Sequence, residues 1–201
     1  MEPEDVPDAV NDVQEADGSD ARSRQGVAIF ISVLAVILAL TSMGGGNATK
    51  DMMIATIHAS DTYAFYQAKA IRQTSTRLAA DELLSLKASS VWLPSEASEL
   101  IDRRLAAYRA AIEKYDSEPE TGEGKVELLN KAHAFEAIRD RAARQDPFFD
   151  YAQALLQIAI VLASASIVAR RRWVLWLAGG FAVLGVLLTV NAFTLLVDLP
   201  L

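Results

Sequence analysis

Residues 151–201 read YAQALLQIAIVLASASIVARRRWVLWLAGGFAVLGVLLTVNAFTLLVDLPL, two apolar runs (Ala154–Ala169 and Trp173–Val197) parted by Arg170, Arg171 and Arg172. At 1.5 Å of rise per residue the runs measure about 24 and 38 Å, bracketing the ~30 Å thickness of a hydrocarbon layer. A third run, VAIFISVLAVILALTSM (Val27–Met43), carries no charge. Together they predict an all-α membrane protein with three transmembrane helices, at 26–44, 148–169 and 173–197. The intervening residues, 45–147, form an extramembrane helical domain.

Of the 201 residues, 52 % are hydrophobic, an excess over ordinary soluble proteins that is concentrated in the three runs. The chain has no cysteine, which excludes disulfides and thiolate metal sites. Its net charge of −7 is mostly local: residues 1–25 set eight carboxylates against Arg22 and Arg24, a balance of −6. With Val6, Val10 and Val13 as its only sizeable apolar side chains, this tail is predicted to be disordered. Val27–Met43 reads as an uncleaved anchor rather than a signal peptide. A long acidic leader precedes it, it exceeds a usual signal core, and no small-x-small site precedes Gly44.

Gly44–Gly46 are expected to interrupt the first helix, with Asn47 or Thr49 capping a new one to about residue 90. Along it Ile54, Ile57, Asp61, Ala64, Ala68, Ile71, Ser75 and Leu78 recur at spacings of three and four, a heptad-like stripe whose core is thin and partly of small residues. Trp92-Leu93-Pro94 ends this helix. Ser95 can cap a second, to about 116, with Ile101, Leu105, Tyr108, Ile112 and Tyr115 on its apolar face. SEPETGEG (117–124) is a polar turn, and a third helix (124–145) places Leu128, Ala132, Phe135, Ile138 and Ala142 on one side. Asp146-Pro147 marks a boundary. The lengths predict one long helix with two shorter ones end to end beside it; a break at Thr74–Thr76 would allow a shorter bundle instead.

Arginines mark the cytoplasmic side of short membrane loops. Arg170, Arg171 and Arg172, with Arg22 and Arg24, therefore predict a cytoplasmic N-terminus and an extracytoplasmic helical domain. Lys131, Arg139, Arg141 and Arg144 pull the other way, but a translocated domain of this length can carry such charges.

ASDTYAFYQAKAIRQ (Ala59–Gln73), LQIAIVLAS (Leu156–Ser164) and the Arg-Arg-Arg-Trp that follows resemble a family of bacterial membrane proteins, domain of unknown function 4337. Tyr66-Gln67-Ala68-Lys69 is the most specific part. The resemblance covers roughly residues 27–196 and implies the same span count and a bacterial inner-membrane location. It implies no activity. Thr62-Tyr63 stands where the family often has a bulkier aromatic pair.

On a helix, Asp61, Phe65, Lys69 and Arg72 share one side of this stretch, while Tyr63 and Tyr66 share another. With Gln67 they form a candidate interaction surface for a partner helix or small polar ligand; plain helix packing is the competing reading. His58 and His133 lack metal-ligand spacing, and no serine elbow, phosphate loop or basic–aromatic stripe is present. These features predict a non-enzyme with no cofactor and no nucleic-acid partner. Inside the spans, Gln157, Ser164, Ser166, Thr189 and Asn191 need polar contacts in a low-dielectric core, while Gly179, Gly180, Ala182 and Gly185 offer small surfaces for helix packing. The expected function is a lipid-embedded, self-associating interaction or scaffold protein, with a possible partner protein at the helical domain. The alternative is a solute channel or transporter component assembled around Gln157 and Asn191.

Overall fold

A computed structural model describes residues 5–90, 92–169 and 171–197, with side chains from Arg24 onward. These residues form four helices and no strand: α1 (Asp5–Ser89), α2 (Ser95–Asp116), α3 (Lys125–Ala169) and α4 (Arg172–Thr194). Where a disordered tail was expected at 1–25, α1 already begins at Asp5; side chains of the tail are described only for Arg24 and Gln25, and Arg170 lies outside the described residues. Helices α1, α3 and α4 each hold a segment long and apolar enough to cross a membrane.

Two helices are longer than the sequence suggested. α1 passes unbroken through Gly44–Gly46 and Thr74–Thr76. Glycine costs about 1 kcal/mol in a helix interior, and a repeat of buried positions outweighs it here. Val27, Leu34, Thr41, Ala48, Ala55, Thr62 and Lys69 are buried every seventh residue, on both sides of the glycines. α3 runs through Pro147, where a boundary was expected. Proline in a helix interior costs about 3 kcal/mol. Buried Phe148 and Phe149 follow it immediately, and Asp146 beside it accepts a 2.9 Å hydrogen bond from the Thr49 hydroxyl. A third correction concerns a cap: Ser95 is the first residue of α2, and Pro94 holds the N-cap position without a side-chain hydrogen bond.

The chain divides into two compact units, Met1–Lys50 with Ala142–Leu201, and Asp51–Arg141. In the first, α1, α3 and α4 pack in three layers. Val27 meets Ala163 and Ala178, Leu34 meets Leu156, Ala159 and Ala182, and Ala48 meets Phe148, Phe149 and Ala192. α3 therefore runs antiparallel to the other two. Small residues do much of this packing, as expected where lipid removes the hydrophobic drive between helices. Of the small surfaces expected on α4, Ala182 and Gly185 are used, and a Cβ at Gly185 would fall 2.9 Å from Leu156 Cγ. Gly179 and Gly180 have nothing within 4 Å of such an atom and face away.

In the second unit, α2 and the start of α3 follow one another along α1. Ala80 packs on Ile101 and Leu105, Gln73 reaches Ile112, Lys69 reaches Glu123, and His58 stacks on Phe135 with ring centroids 5.0 Å apart. The packed row of α1 is Ala55, Ala59, Thr62, Lys69, Gln73 and Ala80, with Tyr66 half-buried. The row expected from the sequence is not the packed one: Ile54, Ile57, Ile71 and Leu78 are exposed by 52, 53, 67 and 59 %. The two rows lie one residue, hence about 100°, apart on the helix. α2 and α3 approach the side with small and polar side chains, where backbones can come close.

Candidate functional site

The Ala59–Gln73 stretch splits between α1's packed row and its open sides. Its packed part centres on Lys69, 7 % exposed, and Gln73, 3 % exposed. The Lys69 ammonium lies 3.4 Å from Glu123 and 4.0 Å from Glu118, and 5.6 and 5.8 Å from the ring centres of Phe65 and Tyr115. The Gln73 amide donates to the Ile112 carbonyl at 3.0 Å and to Asp116 at 3.4 Å. The facing 117–124 turn is closed by its own polar contacts. Ser117 donates its hydroxyl and Glu118 its backbone N–H to Glu127, Lys125 pairs with Asp116 at 3.1 Å and Lys114 with Glu118 at 2.9 Å. Gly122 takes φ 68°, left-handed geometry that favours glycine.

The carboxyls of this turn titrate low. The hydrogen bond from Lys125 holds Asp116 below its usual value, that from Lys114 does so for Glu118, and the Ser117 hydroxyl does so for Glu127. Carboxylates depressed in the folded state stabilise it above the ordinary carboxyl range, and that stability is lost as pH falls through the folded values. Amide exchange across 116–127, corrected for its intrinsic rate, is therefore expected to be flat from pH 7 to 5. It should rise only below about pH 4, where carboxyls protonate. A rise between pH 7 and 6 would contradict this.

Beside the packed row, an open groove of about 500 Å³ is lined by Thr56, Ser60, Tyr63, Gln67, Glu136 and Arg139. Partial burial raises the Tyr63 hydroxyl above its ordinary pKa, and the Glu136 carboxylate adds to the shift. Arg139 is itself engaged, 2.8 Å from Asp140 and 4.0 Å from Glu136. Its guanidinium is held in the charged form chiefly by the Asp140 hydrogen bond. The groove thus offers hydroxyl, amide and ion-pair contacts suited to hydrogen bonding along a polar surface. Glu136 and Arg139 carried no site signal in the sequence, because only folding brings α3 beside Tyr63 and Gln67. Among the described residues, no three His, Asp or Glu side chains gather as a metal site.

In the membrane-length segments, the polar side chains separate. Thr41 and Thr189 share a buried 2.9 Å hydrogen bond between α1 and α4. Asn191 donates its amide to the Val197 carbonyl and accepts from the Val197 N–H, both at 2.9 Å, closing the end of α4 where Leu195 turns left-handed at φ 50°. Gln157 lies elsewhere, beside Leu156 in the middle layer, and is exposed on the outside of the bundle. The structure does not bring Gln157 and Asn191 together. Arg171 and Arg172 are exposed at the start of α4.

A family model described as Domain of unknown function (DUF4337) matches residues 23–195. The chain belongs to this family. No curated protein and no solved structure matches the chain. Within the DUF4337 segment Ala59–Gln73, the seven candidate residues do not form one surface. Lys69 points into the helix packing, Tyr63 and Gln67 line the groove, Tyr66 is half-buried, and Asp61 and Arg72 are exposed. Phe65, 40 % exposed, has the Lys69 ammonium near its ring. The polar partners that sequence reasoning missed are Gln73 and Thr41, the latter bonded to Thr189. The seven-residue spacing of Thr41 with Val27, Leu34 and Ala48 could have found the second of these.

Proposed function

We propose that this protein is a non-enzymatic, membrane-anchored interaction protein that self-associates, with three spans and a coiled-coil-like helical domain outside the bilayer. We place it in a bacterial inner membrane. The exposed Arg171 in the short α3–α4 connection and Arg172 at the start of α4 favour a cytoplasmic N-terminus and an extracytoplasmic helical domain. The observation that carries the interaction reading is the open row of α1: Ile54, Ile57, Ile71 and Leu78, each more than half exposed. Ile54 follows Met43 by about 16 Å of helix rise, so lipid does not cover this row. Repeated large apolar side chains facing water mark a contact surface, and the three-and-four spacing suits another helix.

A photoreactive residue at Ile71, in purified protein reconstituted in lipid nanodiscs, is expected to capture a second chain. Ile57→Glu with Ile71→Glu should lower oligomer captured through the helical domain about tenfold while leaving the melting temperature within a few degrees. A strictly monomeric protein by native mass, with no adduct, would sink the reading.

A further inference from the structure

Gln157 lies about 18 Å of helix before Ala169 and about 16 Å after Asp146, near the middle of a membrane-length segment. The layer of Leu34, Leu156, Ala159 and Ala182 confirms that level within the bundle. With this segment across a bilayer, the side chain is too deep to reach water. The two serines of the same run bond to their own helix, Ser164 to the Ile160 carbonyl at 2.8 Å and Ser166 to the Ala163 carbonyl at 2.7 Å. Among the described residues, the Gln157 carboxamide has no hydrogen-bond partner, and it points out of the bundle. A carboxamide bared to hydrocarbon is costly, and polar groups at this depth ordinarily face a partner.

We infer that Gln157 pairs with Gln157 of a second copy of this chain, across an interface formed by the outer face of α3. A carboxamide both donates and accepts, so two related by a twofold axis along the membrane normal can satisfy each other. Two copies inserted in the same orientation carry residue 157 at the same depth, which no unrelated span guarantees. The flanking exposed positions, Ala154 before Gln157 and Val161, Ser164 and Val168 after it, continue the series at spacings of three and four and present short side chains, so the helices can approach closely along the seam. This inference rests on the self-association proposed above and names its surface within the spans.

The chain has no cysteine, so single cysteines report cleanly. Val161→Cys on this face and Val183→Cys on α4, 65 and 60 % exposed as valines, are compared by oxidative crosslinking in nanodiscs. Val161→Cys is expected to give at least tenfold more covalent dimer than Val183→Cys. Adding Gln157→Leu should lower that yield about three- to tenfold, the range of an interhelical hydrogen bond in lipid, and Gln157→Asn should restore part of it. Dimer with Val183→Cys at least as strong, or no effect of Gln157→Leu, overturns this interface and leaves the self-association reading standing. Absence of dimer at both positions, with a monomeric native mass, overturns both.

Discussion

Gly44→Leu is expected to unfold the three-helix unit at markedly lower temperature, while Gly46→Leu two residues away leaves it unchanged or slightly firmer. A Cβ at position 44 would fall 2.6 and 2.8 Å from ring carbons of Phe149 and 2.8 Å from Phe193 Cζ, distances no real Cβ keeps. Phe193 is 49 % exposed and can swing aside. Phe149, 2 % exposed and edge-on to Phe193, is fixed by its neighbours Ala48, Phe148 and Ala192, so α1 itself must move. Overpacking of this kind costs about 3 kcal/mol at the upper end of its usual range. Position 46 has nothing within 4 Å of the same added atom. There, replacing glycine in a helix gains up to about 1 kcal/mol in propensity. Thermal melts of the two variants in one detergent check this, and equal melting temperatures would refute the close packing of α1 on Phe149.

Much of the architecture was legible because hydrocarbon imposes a strong and one-dimensional constraint. Three apolar runs, a three-arginine break and the SEPETGEG turn mark the membrane-length segments and the ends of α2 and α3, but not the continuity of α1 through Gly44–Gly46 or of α3 through Pro147. Two signals misled in the same way. Gly44–Gly46 read as a break because glycine has low intrinsic propensity, yet Gly44 is where Phe149 needs a side chain absent. The row through Ile54 and Ile71 read as the core because its three-and-four spacing is heptad-like, yet Ala55, Ala59 and Ala80 are buried and Ile54 and Ile71 are not. In both places the deciding quantity is how near two backbones approach, which depends on the facing helix and is not carried by α1 alone. The groove was invisible for a related reason: Tyr63 and Gln67 belong to a recognisable motif, but Glu136 and Arg139 come from α3, far along the chain.

Lys69 separates a structural from a recognition role in that motif, and Lys69→Glu is expected to destabilise the helical unit by about 3 kcal/mol at neutral pH, the cost of an uncompensated buried charge. The new carboxylate would replace a cation 3.4 Å from Glu123 and 4.0 Å from Glu118, in a site 7 % exposed. Lys69→Met should cost less, about 1 kcal/mol. Its stem still fills the space between Phe65 and Tyr115, Glu118 keeps Lys114 at 2.9 Å, and Glu123 is 53 % exposed, so water screens much of its lost pairing. The pH dependence adds a second, independent mark. Acid protonates carboxylates and relieves repulsion among them, whereas it weakens the wild-type turn, whose carboxyls titrate low. The gap in melting temperature between wild type and Lys69→Glu should therefore narrow from pH 7 to pH 4. If Lys69 instead served mainly to contact a partner, Lys69→Glu would leave the melting temperature unchanged at every pH and would weaken only partner capture.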